Sequence, residues 1–125
     1  MKAIVFEKTG GPEVLALAEV PTPDVRPGMV LIRTHAIGVN FADTRFRQGT
    51  YVVKPKLPDT PGFMLPTVSR GFPDKTRESA ERCFALMRDG RLKLHIGKTF
   101  PLAQAAEAHR YLESRASTGK LILMP

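Results

Sequence analysis

The feature that most restricts the fold of this chain is a proline-rich segment near its middle. Between residues 54 and 73 the sequence carries five prolines and two glycines: Pro55, Pro58, Pro61, Pro66, Pro73, Gly62 and Gly71. Proline lacks a backbone N–H and fixes φ, so neither a helix nor a central strand can continue through this segment. The segment is therefore predicted to be a long loop or a junction between two differently patterned parts of the chain.

The residues before this segment have the pattern of strands separated by turns. Lys2 to Phe6 and Val14 to Val20 are extended segments divided by Gly10-Gly11-Pro12, a strand and turn pattern. Met29 to Ile37 is mostly apolar and rich in β-branched residues. This composition predicts a central strand that is buried on much of both faces.

Three segments have helical patterns. Asn40 is a good N-cap for a short helix that ends at Gly49. From Asp74 to Gly90 apolar residues recur at i, i+3, i+4 and i+7, which predicts an amphipathic helix with Ala80, Cys83, Phe84 and Met87 on its apolar face. Residues 102–114 are predicted to form a second amphipathic helix.

Two further segments are predicted to be strands. Leucine and isoleucine alternate with polar residues from Arg91 to Ile96, and an apolar segment from Leu121 to Met124 follows a Thr-Gly turn. His95 lies on the polar face of the first of these segments. A solvated histidine is therefore expected there rather than a catalytic base.

Composition excludes several classes of protein. The single cysteine, Cys83, rules out an internal disulfide framework, and its place on an apolar stripe predicts a buried thiol. The three histidines lack metal-ligand spacing, so no metal is expected. The longest apolar stretches are too short for a transmembrane helix, and the charged N-terminus has no signal-peptide h-region, so a cytoplasmic protein is expected.

The net charge of +7 favours nonspecific attraction of polyanions. The basic residues form no run and are not interleaved with aromatic residues, so solvated surface charge is favoured over specific nucleic-acid binding. With 125 residues the chain is also shorter than the roughly 150 that five βαβ units of a complete dinucleotide-binding domain require. This length argues against a self-sufficient nicotinamide enzyme.

Two stretches of the chain resemble one known family. Gly-Gly-Pro-Glu-Val-Leu at 10–15, Gly-Val-Asn-Phe-Ala-Asp-Thr at 38–44 and Leu-Pro-x-x-Pro-Gly at 57–62, with Arg47, Gly49 and Tyr51, resemble the start of the zinc-independent quinone oxidoreductases. This is the ζ-crystallin-like family of the medium-chain dehydrogenase/reductase superfamily. The segment from residue 90 through Thr118-Gly119-Lys120 to residue 123 resembles the C-terminal end of the same family.

The resemblance breaks off between the two stretches. In the family, the Pro-Gly motif leads into further strands of a GroES-like catalytic barrel and then into the nucleotide-binding domain, whereas here Phe63 runs into Met64-Leu65-Pro66. The sequence also contains no Gly-x-Gly-x-x-Gly, the turn that holds a dinucleotide pyrophosphate. We therefore expect an internal deletion that has removed the nucleotide-binding domain and part of the barrel, with its junction near residues 63–65.

This comparison defines the expected fold. The class is α+β: a partial GroES-like β-barrel catalytic domain with two C-terminal amphipathic helices and no Rossmann domain. Residues 1–125 are expected to form a single domain, in which residues 1–63 are the N-terminal part and residues 64–125 the C-terminal part. Loss of barrel strands would leave unpaired strand edges, which predicts a chain that forms a homodimer through those edges, swaps strands or is only partly ordered.

The resemblance also implies site residues. In relatives, the positions of Asn40 and Tyr51 line the cleft near the nicotinamide and the substrate, so both are candidate catalytic residues. Asp43 and Arg45 are assigned to the substrate pocket, although several relatives have an aromatic residue in place of Arg45, and Lys120 is assigned to the cofactor cleft. From spacing alone, Asn40 is equally an N-cap, Tyr51 a residue at the rim of the core, and Lys120 an exposed lysine after a turn.

The reaction implied by the resemblance is hydride transfer from NADPH to a quinone without zinc. Because the cofactor domain is missing, we expect poor NADPH binding and little or no turnover by this chain alone. The alternative is a non-enzymatic basic domain that serves interaction or oligomerisation.

Overall fold

A computed structural model describes residues 1–27, 31–62 and 73–125. The chain divides into two compact units. Unit 1 contains residues 1–62 and 96–125, and unit 2 spans residues 63–95. The expected junction near residues 63–65 lies outside the described residues.

Unit 1 contains two small sheets. Strands β1 (Lys2–Val5) and β2 (Ala16–Glu19) pair antiparallel, and a 3₁₀ turn at Pro12–Val14 precedes β2. The second sheet has the order β3-β5-β4, with bounds Ile37–Val39, Lys120–Met124 and Ile96–Pro101. The central strand β5 runs antiparallel to β3 and parallel to β4.

Three α-helices are described. Helix α1 (Phe41–Arg47) follows β3 directly. Helix α3 (Ala105–Glu113) connects β4 to β5 and is preceded by a 3₁₀ turn at Leu102–Gln104. Helix α2 (Pro73–Arg88) belongs to unit 2.

The core of unit 1 is formed where α3 packs against the two sheets. It contains Ile4, Val39, Phe100, Leu102, Ala105, Ala108, Leu121 and Leu123, each at most 8% exposed. Leucine and alanine at i, i+3 and i+6 of the segment 102–108 provide the helical contribution, as the amphipathic pattern predicts. Burial of apolar surface at this junction is the main stabilising contribution in unit 1.

Gly97 permits the close approach of β4 to the turn before β5. A Cβ atom at this position would lie 1.6 Å from the carbonyl oxygen of Thr118. The register of β4 against β5 also shifts between Ile96 and Lys98, which is the irregularity that a glycine accommodates best in a strand. Gly119 follows with φ of +70°, and it makes the turn into β5.

The predicted elements are confirmed in most of the described chain. Strands lie where Lys2 to Phe6, Val14 to Val20 and Leu121 to Met124 predict them, with shorter bounds at the first two. The helices predicted from Asn40, from Asp74 and from residue 102 are all present. Within residues 54–62 the described backbone forms no helix, and Asp59 makes an isolated bridge to Phe6.

The predicted central strand from Met29 to Ile37 is wrong over residues 31–36, which form no strand; residues 28–30 lie outside the described chain. The strand begins at Ile37, ends at Val39, and lies at the edge of its sheet. Leu31 and Ile32 are 53% and 73% exposed. An apolar, β-branched composition favours strand geometry, but a strand also needs a partner, and β5 supplies one only from Ile37 onward.

The predicted strand from Arg91 to Ile96 is also wrong in its bounds. Residues 91–95 are irregular, because the N–H groups of Arg91 and Leu92 both donate to Leu86 O at 2.9 Å and close the end of α2. Strand β4 starts at Ile96, opposite Lys120, which is the first residue of β5. His95 is exposed, as predicted.

Cys83 is exposed, so the prediction of a buried thiol is wrong. Phe84, its neighbour on the same stripe, is 67% exposed, whereas Ala80 and Met87 are half-buried. Helical periodicity predicts which face is apolar, but burial of that face requires residues opposite it. In unit 2 the described residues outside α2 are a short irregular segment at 89–95, which is too little to cover the stripe.

Candidate functional site

The candidate site is built on the N-terminus of α1. Strand β3 delivers Asn40 to the N-cap position with extended backbone, φ −125° and ψ 156°. Asn40 and Asp43 form a capping box, in which Asp43 Oδ2 accepts the N–H of Asn40 at 2.7 Å. Asp43 is 4% exposed. Two of the predicted site residues therefore also hold the first turn of α1 in place.

Lys120 lies against the same helix terminus from β5. Its ammonium donates to Val39 O at 3.0 Å and to the side-chain oxygen of Asn40. Lysine has donors and no acceptor, so the Asn40 atom facing it must be the carboxamide oxygen. The Asn40 amide nitrogen is then directed away from Lys120, and it has no acceptor among the residues that the structure describes.

Tyr51 and Arg45 lie together near the other end of α1. The N–H of Tyr51 donates to Arg45 O at 3.1 Å, and Thr50 donates to the same carbonyl oxygen at 2.9 Å. Tyr51 is half-buried and Arg45 is exposed. The rise from Asn40 to Arg47 is about 10 Å along the helix axis. The structure thus brings Asn40, Asp43 and Lys120 together, and places Arg45 with Tyr51 at the opposite end of the helix.

A buried charged cluster joins α1 to α3. Arg47 is 0% exposed, and its Nη2 donates to Glu113 Oε1 at 2.5 Å. The side-chain amide of Gln48 donates to the same oxygen at 2.9 Å. The Nε and Nη1 atoms of Arg47 are buried and find no acceptor among the described residues. Removal of Glu113 would leave the fully buried Arg47 without a charged partner, so this pair constrains how α1 and α3 pack.

His109 lies one helical turn before Glu113 and is 2% exposed. Burial and the nearby positive charge of Arg47 lower the pKa of His109 from 6.5 to about 4. The imidazole is therefore neutral at pH 7. Its Nδ1 atom has no hydrogen-bond partner among the described residues.

A cavity of about 310 Å³ lies within unit 1 beside this histidine. Its buried lining combines apolar side chains with two polar ones: Ile4, Val39, Leu102, Ala105, Leu123, Asp43 and His109. Exposed residues, among them Leu31 and Ile32, form its rim. Asn40, Tyr51 and Lys120 are not among the residues described as lining it.

Sequence reasoning missed the buried cluster and the cavity. Arg47 shows no diagnostic spacing, and its partner Glu113 is 66 residues away. The available signal was the one-turn spacing of Ala105, His109 and Glu113, which places the histidine on the apolar face of the helix and the glutamate in line with it. That spacing identifies a shared face, but it does not show that a distant arginine lies opposite.

The described part of the chain offers no metal centre. No group of three or more His, Cys, Asp or Glu side chains in it is arranged to hold a metal ion. None of its helices is both long and apolar enough to cross a membrane.

A family model described as zinc-binding dehydrogenase matches residues 29–123. The chain therefore belongs to the zinc-binding dehydrogenase family. It is similar to the quinone oxidoreductase of Rattus norvegicus, with 35% identity over 115 residues, and to that of Sus scrofa, with 51% identity over 64 residues. These matches cover 86% and 50% of this chain, and they confirm the resemblance to quinone oxidoreductases.

The same matches cover only 35% of the rat protein and 20% of the pig protein. The chain therefore spans about a third or less of the length of these relatives. Two solved mycobacterial structures, one of a quinone oxidoreductase and one of a protein complexed with NADPH, each give a TM-score of 0.76. Each covers 100% of both chains at 14% identity. At this identity the likeness concerns the fold alone, which mixes helices with small sheets.

Proposed function

We propose that this chain is a shortened relative of the NADPH:quinone oxidoreductases that keeps a carbonyl-binding site and does not turn over alone. The observation that carries the proposal is the contact of Lys120 with the Asn40 carboxamide oxygen. Because that oxygen is occupied, the Asn40 amide is oriented to act as a hydrogen-bond donor toward a ligand. A quinone presents an acceptor oxygen that fits such a donor.

The charge at this site suits a carbonyl that gains electron density. The ammonium of Lys120 contacts the carboxamide oxygen of Asn40 and polarises the amide, which strengthens its N–H as a donor to an oxygen that gains negative charge. Tyr51 supplies an aromatic ring for a planar ligand, and Arg45 lies beside it. Because Arg45 lies about 7.5 Å from Asn40 along the axis of α1, a ligand that met both pairs would have to extend along the helix.

One observation supports the absence of turnover. The sequence contains no Gly-x-Gly-x-x-Gly, the turn that holds a dinucleotide pyrophosphate. We infer a partial GroES-like barrel without a Rossmann domain, joined internally near residues 63–65. NADPH would supply a hydride in the family's reaction, and this chain's residues bind and orient the acceptor.

The test is thermal unfolding of the purified chain with duroquinone and, separately, with NADPH. Duroquinone has no free ring position, so it avoids addition to the exposed Cys83 thiol. We expect duroquinone to raise the melting temperature and NADPH to leave it unchanged. The variant Asn40→Asp keeps an oxygen for Lys120 but removes the amide donor, so it should abolish the duroquinone shift.

The control variant is Glu107→Gln on an exposed part of α3, which should keep the full shift. If duroquinone does not raise the melting temperature of the unmodified chain, the proposed carbonyl-binding site is wrong. An NADPH shift, or steady NADPH oxidation with duroquinone that Asn40→Asp or Tyr51→Phe abolishes, would show instead that the chain is an active enzyme.

A second candidate function is self-association through strand edges. The outer strand β4 is exposed at Ile96 to Thr99, and only Phe100 is buried. Because β4 lies at the edge of its sheet, its outer backbone groups can pair with another chain. Sedimentation velocity at several protein concentrations tests this candidate: a homodimer supports an interaction domain, and a monomer at all concentrations removes it.

A further inference from the structure

The cavity in unit 1 differs from an ordinary packing defect in its polar lining. Protein interiors hold few voids larger than a water molecule, and those that persist are apolar and dry or contain hydrogen-bonded water. Here the volume is about 310 Å³, and His109 and Asp43 both line it at 2% and 4% exposure. Asp43 accepts the N–H of Asn40, so the energetic cost of an unmet buried polar atom concerns His109.

His109 supplies the specific recognition element. Its Nδ1 atom is buried and has no partner among the described residues, although the side chain lines the cavity. A buried nitrogen without a hydrogen bond costs about 1–3 kcal/mol. A ligand hydroxyl can satisfy either tautomer of a neutral imidazole, because a hydroxyl both donates and accepts.

Size and lining define the rest of the ligand. An apolar cavity of about 150 Å³ is known to hold one benzene, so this one, at about 310 Å³, has room for two fused rings. Its apolar lining, which includes Ile4, Val39 and Leu123, matches an aromatic body. The exposed rim at Leu31 and Ile32 provides an entrance.

The geometry points to a second ligand site in this cavity, which binds an uncharged bicyclic aromatic molecule through one hydroxyl group hydrogen-bonded to His109 Nδ1. The site does not include Asn40, Tyr51 or Lys120. Asp43 lines the cavity and also caps α1 with Asn40, but recognition of the hydroxyl group rests on His109, so the two sites are tested with different probes.

The experiment is calorimetric titration of the full chain with 2-naphthol and with naphthalene, which differ only in the hydroxyl group. We expect 2-naphthol to bind about tenfold more tightly, the factor that one net hydrogen bond supplies. The variant His109→Phe keeps a ring in place but removes both nitrogens, so it should bind the two molecules equally. Glu107→Gln, at an exposed position of α3 that does not line the cavity, should leave 2-naphthol binding unchanged.

Methyl NMR locates the bound molecule even if His109→Phe fails to fold. Ring currents from 2-naphthol should shift the methyl signals of Ile4, Val39 and Leu123 and leave that of Leu86 in unit 2 unmoved. Equal binding of the two probes by the unmodified chain would overturn the role of His109. Absence of heat, together with a dimer that protects the same methyl groups, would overturn the ligand site and assign the cavity to a second copy of the chain.

Discussion

Units 1 and 2 each contain an amphipathic helix, and they differ in whether the apolar face of that helix is buried. In unit 1 the apolar face of α3 is buried, with Ala105 and Ala108 at most 1% exposed. In unit 2 the apolar face of α2 carries Phe84 at 67% exposure and an exposed Cys83. The two helices have the same kind of sequence pattern, so the difference comes from the strands that α3 has opposite it. A helix's pattern specifies a face, and only the rest of the fold decides whether that face is buried.

The largest difference between the two units is expected when a charged side chain is removed. In unit 1 the variant is Arg47→Met. Arg47 is fully buried, whereas its partner Glu113 is 24% exposed and also accepts a hydrogen bond from Gln48, so loss of Arg47 leaves a half-buried carboxylate without its charged partner. Breaking a fully buried pair from one side costs about 3–5 kcal/mol, and the partial solvation of Glu113 places this variant at the lower end, about 3 kcal/mol. Urea denaturation of the variant should show that loss in the free energy of unfolding.

Arg88→Met in unit 2 is the matched control. Arg88 is 81% exposed and lies 4.0 Å from an exposed Asp89, so its loss should be nearly neutral. Equal destabilisation by the two variants would contradict the contrast between the units.

Truncation of apolar residues gives the second comparison. Leu121 is 1% exposed in the core, and Leu121→Ala should destabilise unit 1 by about 2–5 kcal/mol through lost contacts and a cavity. Phe84→Ala removes a larger side chain from the exposed face of α2, yet it should change stability by less than about 0.5 kcal/mol. Paired urea midpoints measure both variants, and a large loss for Phe84→Ala would show that α2 is covered in solution.

Acid should weaken unit 1 through His109. The pKa of this residue is lowered by burial and by Arg47 to about 4 from 6.5, so between these values the unfolded chain binds a proton that the folded chain does not. Stability from this group is therefore complete above about pH 6.5, falls as the pH drops toward 4, and changes by roughly 3 kcal/mol in total.

The contribution of His109 to the pH dependence of stability is measured by comparing variants at two pH values. Urea midpoints at pH 7 and pH 4.5 should lie closer together in His109→Phe than in the unmodified chain, whereas His95→Phe, at an exposed site, should keep the original spacing. An unchanged spacing in His109→Phe would mean that other groups set the acid sensitivity.

Among the changes expected to destabilise unit 1, a substitution at Lys120 should have the smallest effect. Its ammonium joins β5 to Val39 O and to the Asn40 side chain. Lys120→Met keeps the aliphatic stem and should cost about 1 kcal/mol in urea denaturation, the usual net value of such hydrogen bonds. No loss at all would indicate that the lysine is solvated, as its place after a turn had suggested from sequence.

Much of the fold is predictable from local pattern. The strands near both termini and all three described helices follow from periodicity, turn residues and caps, because these signals act within a few residues. The predictions that were wrong concern apolar segments whose secondary structure depends on partners distant in sequence. Leu31 and Ile32 read as a buried strand but line the rim of a cavity, and Leu92 and Leu94 alternate like a strand before any partner strand is available.

The candidate site likewise contains residues that could be predicted from local sequence and residues that could not. Asn40 and Asp43 could be singled out because a motif and a helix cap coincide there, and the structure brings them to Lys120 from the far end of the chain. The contact of Arg47 with Glu113 and the cavity beside His109 could not be predicted. Both arise from packing between segments more than 60 residues apart, which leaves no trace in local spacing.

Position 97 of this chain accepts no residue other than glycine without a change in the backbone. Because the space of its missing side chain is filled by the Thr118 carbonyl group, each of the other nineteen amino acids would have to push β4 away from the turn. The strand that would move is the one leading into α3, so a change at this solvent-exposed position would reach the buried core through the backbone alone. A library randomised at residue 97 should return glycine almost exclusively, while the preceding exposed residue, Ile96, should accept many side chains.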